Sequence, residues 1–206
     1  MIKGVYIEPE CLTTLITSAI EVYNRETNGF LLGRIAERRI RKRNLKVLVL
    51  EAASPFQLEE RKPTSVSHAN KKAVDRLVRS LNTMKRGLVG GYHSHPFPHD
   101  LAVLSRDDIE FIGMEIEHLK KYGFPVPQWL EVVMAIKMRE YKTGHRTGVK
   151  TFRLNDSVGL VIKNTPHRGF AIKMRAYILV KEDGKMRREV AKIYLPRKRR
   201  VWQTRS

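Results

Sequence analysis

The sequence predicts an α/β or α+β fold in which a central sheet is flanked by helices. Along the first 136 residues, segments with apolar side chains at helical spacing alternate with short apolar segments typical of strands. From about residue 150 to residue 195 the pattern indicates β structure in several pieces. Helices that alternate with strands and precede a β-rich end are typical of a sheet covered by helices.

Three segments carry apolar residues at helical spacing and are predicted to be helices. They run from about Pro9 to Tyr23, from about His68 to Met84, and from about Arg106 to Lys121. Gly87 follows the second segment and Gly123 follows the third, as glycines commonly do after the last turn of a helix.

Short apolar segments between and after the helices are predicted to be strands. Phe30–Gly33 and Lys46–Glu51 form a hairpin, with the basic segment 37–44 as its turn. Leu88–His93 is a short central strand. Three more strands are predicted towards the C terminus, the last two joined by a turn at residues 182–184: Leu130–Ile136, Ala171–Val180 and Glu189–Leu195.

The length of 206 residues fits one domain with a sizeable core, or one domain followed by a tail. We place the domain at residues 1–195, with its chemical motifs within residues 1–136, and interpret residues 196–206 as a basic tail. No apolar run approaches the length of a membrane span, and the N terminus lacks the pattern of a signal peptide. We therefore expect a cytoplasmic protein without membrane contact.

The chain has a single cysteine, Cys11, which excludes an intrachain disulfide and a cysteine-rich zinc site. A metal site in this protein must therefore use histidine and carboxylate ligands. The cysteines that a nucleic-acid deaminase needs for its zinc are also absent. We interpret Cys11 as a small apolar residue of the first helix.

The chain carries a large excess of basic residues, 40 Lys and Arg against 21 Asp and Glu, for a net charge of +19. This excess favours an acidic partner, either an acidic protein or nucleic acid. The basic residues are densest in segments 34–43, 141–150 and 185–205. Trp202 could stack on a base or pack back onto the domain, and a solvated basic surface is the other interpretation. The sequence contains no recognised nucleic-acid-binding module.

The most informative stretch is residues 90–96, Gly-Gly-Tyr-His-Ser-His-Pro. His93 and His95 are two positions apart, so on a strand both imidazoles project from the same face and can reach one ion. Pro96 is predicted to end the strand, which places His93 and His95 at the end of the strand, where a ligand can enter. Neutral imidazole nitrogens suit zinc, although an isolated pair of this kind is also common among ordinary surface or core histidines.

Two further elements accompany the histidines. Ser105 lies three residues before Asp108 at the start of a predicted helix, which is typical of a capping box and would also hold both side chains rigidly beside a metal. Glu26 precedes the glycine-containing apolar segment 29–33. Taken alone, a glutamate in that place is usually a solvated residue at a helix end.

In this order, the three elements resemble the signature of the JAMM (MPN+) zinc metalloprotease family, in the form of its prokaryotic members. The family pattern is a glutamate before a small-x-Gly-apolar-apolar-Gly strand, then His-Ser/Thr-His-Pro, then Ser-x-x-Asp. The resemblance spans Met1–Ile136. It implies an MPN/JAMM domain, which is a cytidine-deaminase-like central mixed sheet flanked by helices. It also implies Zn²⁺ held by His93, His95 and Asp108, with Glu26 and Ser105 as catalytic residues.

The segment between the second histidine and the aspartate departs from the family pattern. Pro96–Asp107 lie between them, about two residues more than we expect, and the loop 97–101 would absorb the excess. Because Ser105-x-x-Asp108 keeps the local pattern, we favour Asp108 over Asp107 as the ligand. Two other residues in the intervening segment are rival ligands: His99 and Asp100.

Two histidines and one carboxylate leave an open zinc position, which is typical of a catalytic site. The resemblance implies that Glu26 is the general base and that Ser105 stabilises the oxyanion. Ser94 points to the other face of the strand and is predicted to be structural.

The implied substrates are isopeptide or peptide bonds at the C-terminal tail of ubiquitin-like modifier or sulfur-carrier proteins, gripped by the loops 54–67 and 141–166. The alternatives are a non-catalytic MPN-type scaffold and a nucleic-acid-associated protein that uses its basic surface.

Overall fold

The computed structural model describes residues 2, 4–40, 42–56, 71–83, 87–96, 102–124, 128–182 and 185–196. Within these residues it contains three helices and nine strands. The helices are α1 (Pro9–Glu21), α2 (Lys71–Thr83) and α3 (Arg106–Lys120). The strands are β1 (Gly4–Ile7), β2 (Asn28–Ile40), β3 (Arg43–Pro55), β4 (Leu88–Pro96), β5 (Trp129–Glu140), β6 (Gly148–Leu154), β7 (Ser157–Lys163), β8 (Arg168–Glu182) and β9 (Lys185–Tyr194). None of the helices in these ranges is long and apolar enough to cross a membrane.

Seven of the described strands close into a barrel. Their order is β5-β4-β2-β3-β1-β9-β8, and β8 pairs back with β5. The long strand β8 makes this closure possible, because one of its edges meets β5 while the other meets two strands in succession. On that second edge, Phe170–Arg175 pair with β7, and Ala176–Glu182 pair with β9. β6 and β7 therefore extend the sheet beyond the barrel.

The predicted fold class is wrong. Instead of a central mixed sheet flanked by helices, as the MPN/JAMM cytidine-deaminase-like architecture would require, the described strands form a closed, predominantly β structure. Apolar periodicity shows which face of a strand is buried, but it does not show which strand is its neighbour. The antiparallel pairing of Trp129–Glu140 with Arg168–Leu179, which closes the barrel, leaves no local signal in the sequence.

Most of the predicted elements are confirmed, although several boundaries move. All three helices are present, and the start predicted for the second at His68 lies outside the described residues. The first hairpin is longer than predicted, since its pairing continues as far as Ile40 opposite Arg43. The predicted loop 141–166 contains β6 and β7. Four other predicted features lie wholly or mainly outside the described residues: the loop 54–67, residues 183–184, Trp202 and the basic tail.

Two hydrophobic cores occupy the two faces of the sheet. The first is lined by residues from every barrel strand and includes the buried side of α1, so we identify its face as the barrel interior. The second contains residues of α2 and α3 packed against the opposite face. Cys11 lies on α1 in the first core with no exposed surface, and burial raises the pKa of its thiol to about 12. The interpretation of Cys11 as an apolar core residue is confirmed.

Replacing a core residue of α1 tests this packing. Leu15 on α1 is fully buried, whereas Met114 on α3 is 65% exposed. We expect Leu15→Ala to lower the free energy of unfolding by about 2–5 kcal/mol, because it removes buried surface and leaves a cavity. Met114→Ala, the control, should change it by less than about 0.5 kcal/mol. Denaturant titration measures both variants, and similar losses would contradict the placement of α1 in the core.

Candidate metal centre

β4 brings the two candidate histidine ligands to the outer face of the barrel. His93 and His95 alternate along the strand with Tyr92 and Ser94, whose side chains lie on the opposite face. Ser94 is fully buried and pairs with the residue after Glu26 through two bonds. Its Oγ accepts from the Thr27 N–H at 3.2 Å, and its own N–H donates to the Thr27 carbonyl at 2.8 Å. These bonds agree with the structural role predicted for Ser94.

α3 brings the carboxylate to the same place through a capping box. The Ser105 Oγ accepts from the Asp108 N–H at 3.1 Å, and Asp108 Oδ2 accepts from the Ser105 N–H at 2.7 Å. The same Oδ2 lies 3.8 Å from His93 Nε2 and 3.9 Å from His95 Nε2. Asp108 Oδ2 therefore both caps the helix and lies close to the two histidines. Ser105 lies beside the group, and the Asp108 backbone engages its hydroxyl.

His93, His95 and Asp108 form a group that could hold a metal ion, since their ligand atoms all lie within 4.8 Å of one another. Ligands placed tetrahedrally at about 2.1 Å from zinc would lie about 3.4 Å apart, so the distances of 3.8 and 3.9 Å from Asp108 Oδ2 to the two imidazoles would shorten by roughly 0.4–0.5 Å on binding. The neighbouring Asp107 is exposed. The structure thus brings Asp108 to the histidines, as predicted. The rivals His99 and Asp100 lie outside the described residues.

The surroundings of the His93 ring are suited to a bound cation. Its Nε2 atom is buried and has no hydrogen-bond partner among the described residues. Its other ring nitrogen, Nδ1, lies 2.8 Å from Glu131 Oε1. Leaving a buried polar atom unsatisfied costs about 1–3 kcal/mol, and a metal ion at Nε2 would remove that cost.

Glu26 faces the metal-ligand group across a cleft of about 220 Å³, whose lining also includes His93 and Asp108. Burial raises the pKa of Glu26 to about 7, with His93 opposing the rise and Asp108 adding to it. Burial also acts to raise the pKa of Asp108. There, His93 and the bonds from Ser105 outweigh it, so the pKa of Asp108 lies below its ordinary value. One carboxyl group is thus suited to exchanging protons near neutral pH, and the other to remaining ionised as a ligand.

Two residues next to His93, Glu131 and Trp129, were not predicted from the sequence. Glu131 is only 4% exposed, and its carboxylate lies between His93 Nδ1 and the indole N–H of Trp129, which donates to Glu131 Oε2 at 2.7 Å. The available signal was one acidic residue within the otherwise apolar segment 129–136. A buried charge in a strand needs a partner, but the sequence does not identify that partner.

No protein-family model matches the chain, and no curated protein is similar to it in sequence. Among solved structures, the chain is similar to the solution structure of protein DSY2949 from Desulfitobacterium hafniense. The two are 13% identical over 97% of this chain and 99% of that chain, with a TM-score of 0.47.

Metal content separates the two adjacent aspartates. We expect the wild-type chain to retain about one divalent ion after loading with zinc and dialysis, and His95→Ala and Asp108→Asn to lose it. Asp108→Asn preserves an oxygen for the capping box, so the loss would reflect the ligand and not the helix start. Asp107→Asn is the matched control and should retain the ion. Retention by Asp108→Asn and loss by Asp107→Asn, measured by elemental analysis, would reverse the assignment.

Proposed function

We propose that the chain is a zinc-dependent hydrolase that cleaves isopeptide or peptide bonds at the C-terminal tail of ubiquitin-like modifier or sulfur-carrier proteins. The observation that carries this proposal is that Glu26 lines one cleft with His93 and Asp108, which form a possible metal-binding group with His95. It adds to the resemblance of these residues to the JAMM signature. The resemblance is confined to the motif residues, because the fold that it implied is not the fold of this chain.

The donor set favours zinc and a catalytic role. Two imidazoles and one carboxylate are a common zinc ligand set, and they leave a coordination position open, which structural sites rarely do. A zinc ion in this position would act as a Lewis acid towards the substrate carbonyl and lower the pKa of a water molecule. A non-catalytic scaffold has no need for a complete set of this kind.

The residues of the chain would then have separate roles. Glu26, with a pKa near 7, can accept a proton from the attacking water and deliver it to the leaving amine. Ser105 and the first turn of α3 lie beside the ligand group, where hydrogen-bond donors and the positive end of the helix dipole can stabilise negative charge on the carbonyl oxygen.

The size of the cleft supports a chain end as substrate. Its volume of about 220 Å³ lies below the roughly 300–1,000 Å³ typical of small-molecule pockets. A cleft of this size accommodates an extended backbone without bulky side chains, such as the Gly-Gly end that ubiquitin-like modifiers and sulfur carriers share. The basic surface would favour the approach of an acidic modifier or conjugate.

Glu26→Gln tests the enzymatic role. We expect this isosteric change to lower cleavage of a Gly-Gly-linked ubiquitin-like fusion by about 10²–10⁴-fold while zinc content stays the same, because it removes the base and not a ligand. Glu115→Gln, in the same cleft, is the matched control and should cleave at a rate close to wild type. A wild-type protein that binds zinc but cleaves no such fusion would contradict the proposed function.

Association with nucleic acid is a second candidate function. The observation that favours it is the hairpin of β2 and β3, whose far end presents four exposed basic side chains: Arg39, Lys42, Arg43 and Lys46. A two-stranded ribbon of this kind can follow a phosphate backbone.

Salt-titrated binding to RNA and duplex DNA tests the second candidate. Replacing Arg39, Lys42 and Arg43 with alanine should weaken binding and lower the salt slope by up to about 3. Replacing the three exposed residues Lys142, Arg146 and Lys150 removes the same charge elsewhere and should have a smaller effect. A wild-type protein without salt-dependent binding would exclude this candidate.

A further inference from the structure

We propose that Glu131 is a positioning residue that fixes the tautomer and orientation of His93, and that Trp129 holds Glu131 in place. This inference rests on the metal site of the proposed function, but it does not depend on the substrate. It assigns a role to a buried acidic residue outside the motif that resembles the JAMM signature.

The strand register brings the three side chains together. β4 and β5 are parallel neighbours, with Gly91 opposite Glu131 and His93 opposite Val133. Trp129 and Glu131 are two positions apart and share the face of the sheet that carries His93. Both oxygens of Glu131 are therefore engaged, Oε1 at 2.8 Å from His93 Nδ1 and Oε2 at 2.7 Å from Trp129 Nε1.

The glycine at position 91 makes room for this arrangement. A Cβ atom at that position would lie 2.9 Å from Glu131 Oε2 and 3.1 Å from Trp129 Cζ2. Contacts this short are closer than side chains normally tolerate, so any larger residue would displace the carboxylate or the indole. Gly91, on the same strand as His93, thus leaves the space that the Glu131 carboxylate occupies.

The chemistry of imidazole explains what the contact does. A carboxylate can only accept hydrogen bonds, so its contact with Nδ1 places the ring proton on that nitrogen and leaves the lone pair on Nε2. Nε2 is the His93 atom that lies 3.8 Å from Asp108 Oδ2. Carboxylates that support metal-bound histidines in this way commonly contribute about 10–100-fold to metal affinity.

A purely structural role for Glu131 makes different predictions. If the carboxylate served only to satisfy the Trp129 indole, its removal would lower stability without affecting the ring of His93. Trp129→Phe separates the two roles, because it deletes the indole donor and removes neither partner of the contact between Glu131 and His93. The tautomer of His93 and the zinc affinity report the positioning role directly.

The experiment compares wild type, Glu131→Gln and Trp129→Phe, with Glu110→Gln at an exposed position of α3 as the control. In metal-free wild type, at a pH above the raised pKa values of His93 and Glu131, ¹⁵N correlation spectra should show the neutral His93 ring protonated on Nδ1. In Glu131→Gln the tautomers should mix, and zinc binding should weaken by about 10–100-fold in competition with a chelator. Trp129→Phe should keep the wild-type tautomer and weaken zinc binding less. Circular dichroism establishes that each variant is folded.

Three outcomes would overturn the proposal. The first is a neutral wild-type His93 ring protonated on Nε2 and not on Nδ1, which needs no variant and is informative even if Glu131→Gln does not fold. The second is a folded Glu131→Gln with the wild-type tautomer, and the third is one with zinc affinity within about twofold of wild type. A wild-type protein that binds no zinc would contradict the proposed function, whereas its tautomer would still test the link between Glu131 and His93.

Discussion

β5 pairs with β8 along its whole length, from Trp129 opposite Leu179 to Glu140 opposite Arg168, and the rest of the structure depends on this ladder. It closes the barrel and makes β5 an interior strand between β8 and β4. Because β5 pairs with a neighbour on each side, its register with β4 is fixed, and Glu131 is held within reach of His93. An unpaired β5 would be an edge strand, and edge strands are more free to shift and to pair elsewhere.

The parts of the structure that could be predicted from the sequence are those determined by local spacing. Helical periodicity located the helices, the i, i+2 pair placed His93 and His95 on one face, and the Ser-x-x-Asp spacing indicated the capping box. The closure of the barrel could not be predicted, because it depends on pairing between distant segments. For the same reason Glu131 was missed, since 38 residues separate it from its partner His93. The fold class was therefore wrong although most of its elements were present.

The chain as a whole is strongly basic, but its candidate site is acidic. The chain carries a net charge of +19, yet the cleft is lined by five carboxylate side chains and, among the described residues, by no lysine or arginine. Charges on an exposed surface act over roughly 8–10 Å at moderate ionic strength, whereas the half-buried carboxylates act at contact distance. A surface of this charge favours the approach of an acidic macromolecule, whereas the charge of the cleft suits a cation. The two attractions do not compete, because they operate at different places and ranges.

Asp108 both caps α3 and lies beside the two histidines, so the residues of the candidate site differ in how freely they could be replaced. Its carboxylate caps α3 through Ser105 and lies near both histidines, so a replacement at position 108 would disturb the start of the helix as well as the candidate metal-binding group. His93 and His95 have no comparable second task in starting a helix or filling the core. A related sequence could replace the histidines and still keep Ser105 and Asp108 for the stability of α3. The histidine pair, and not the serine–aspartate pair, is therefore the better sequence marker of a chain that could hold a metal ion at this place.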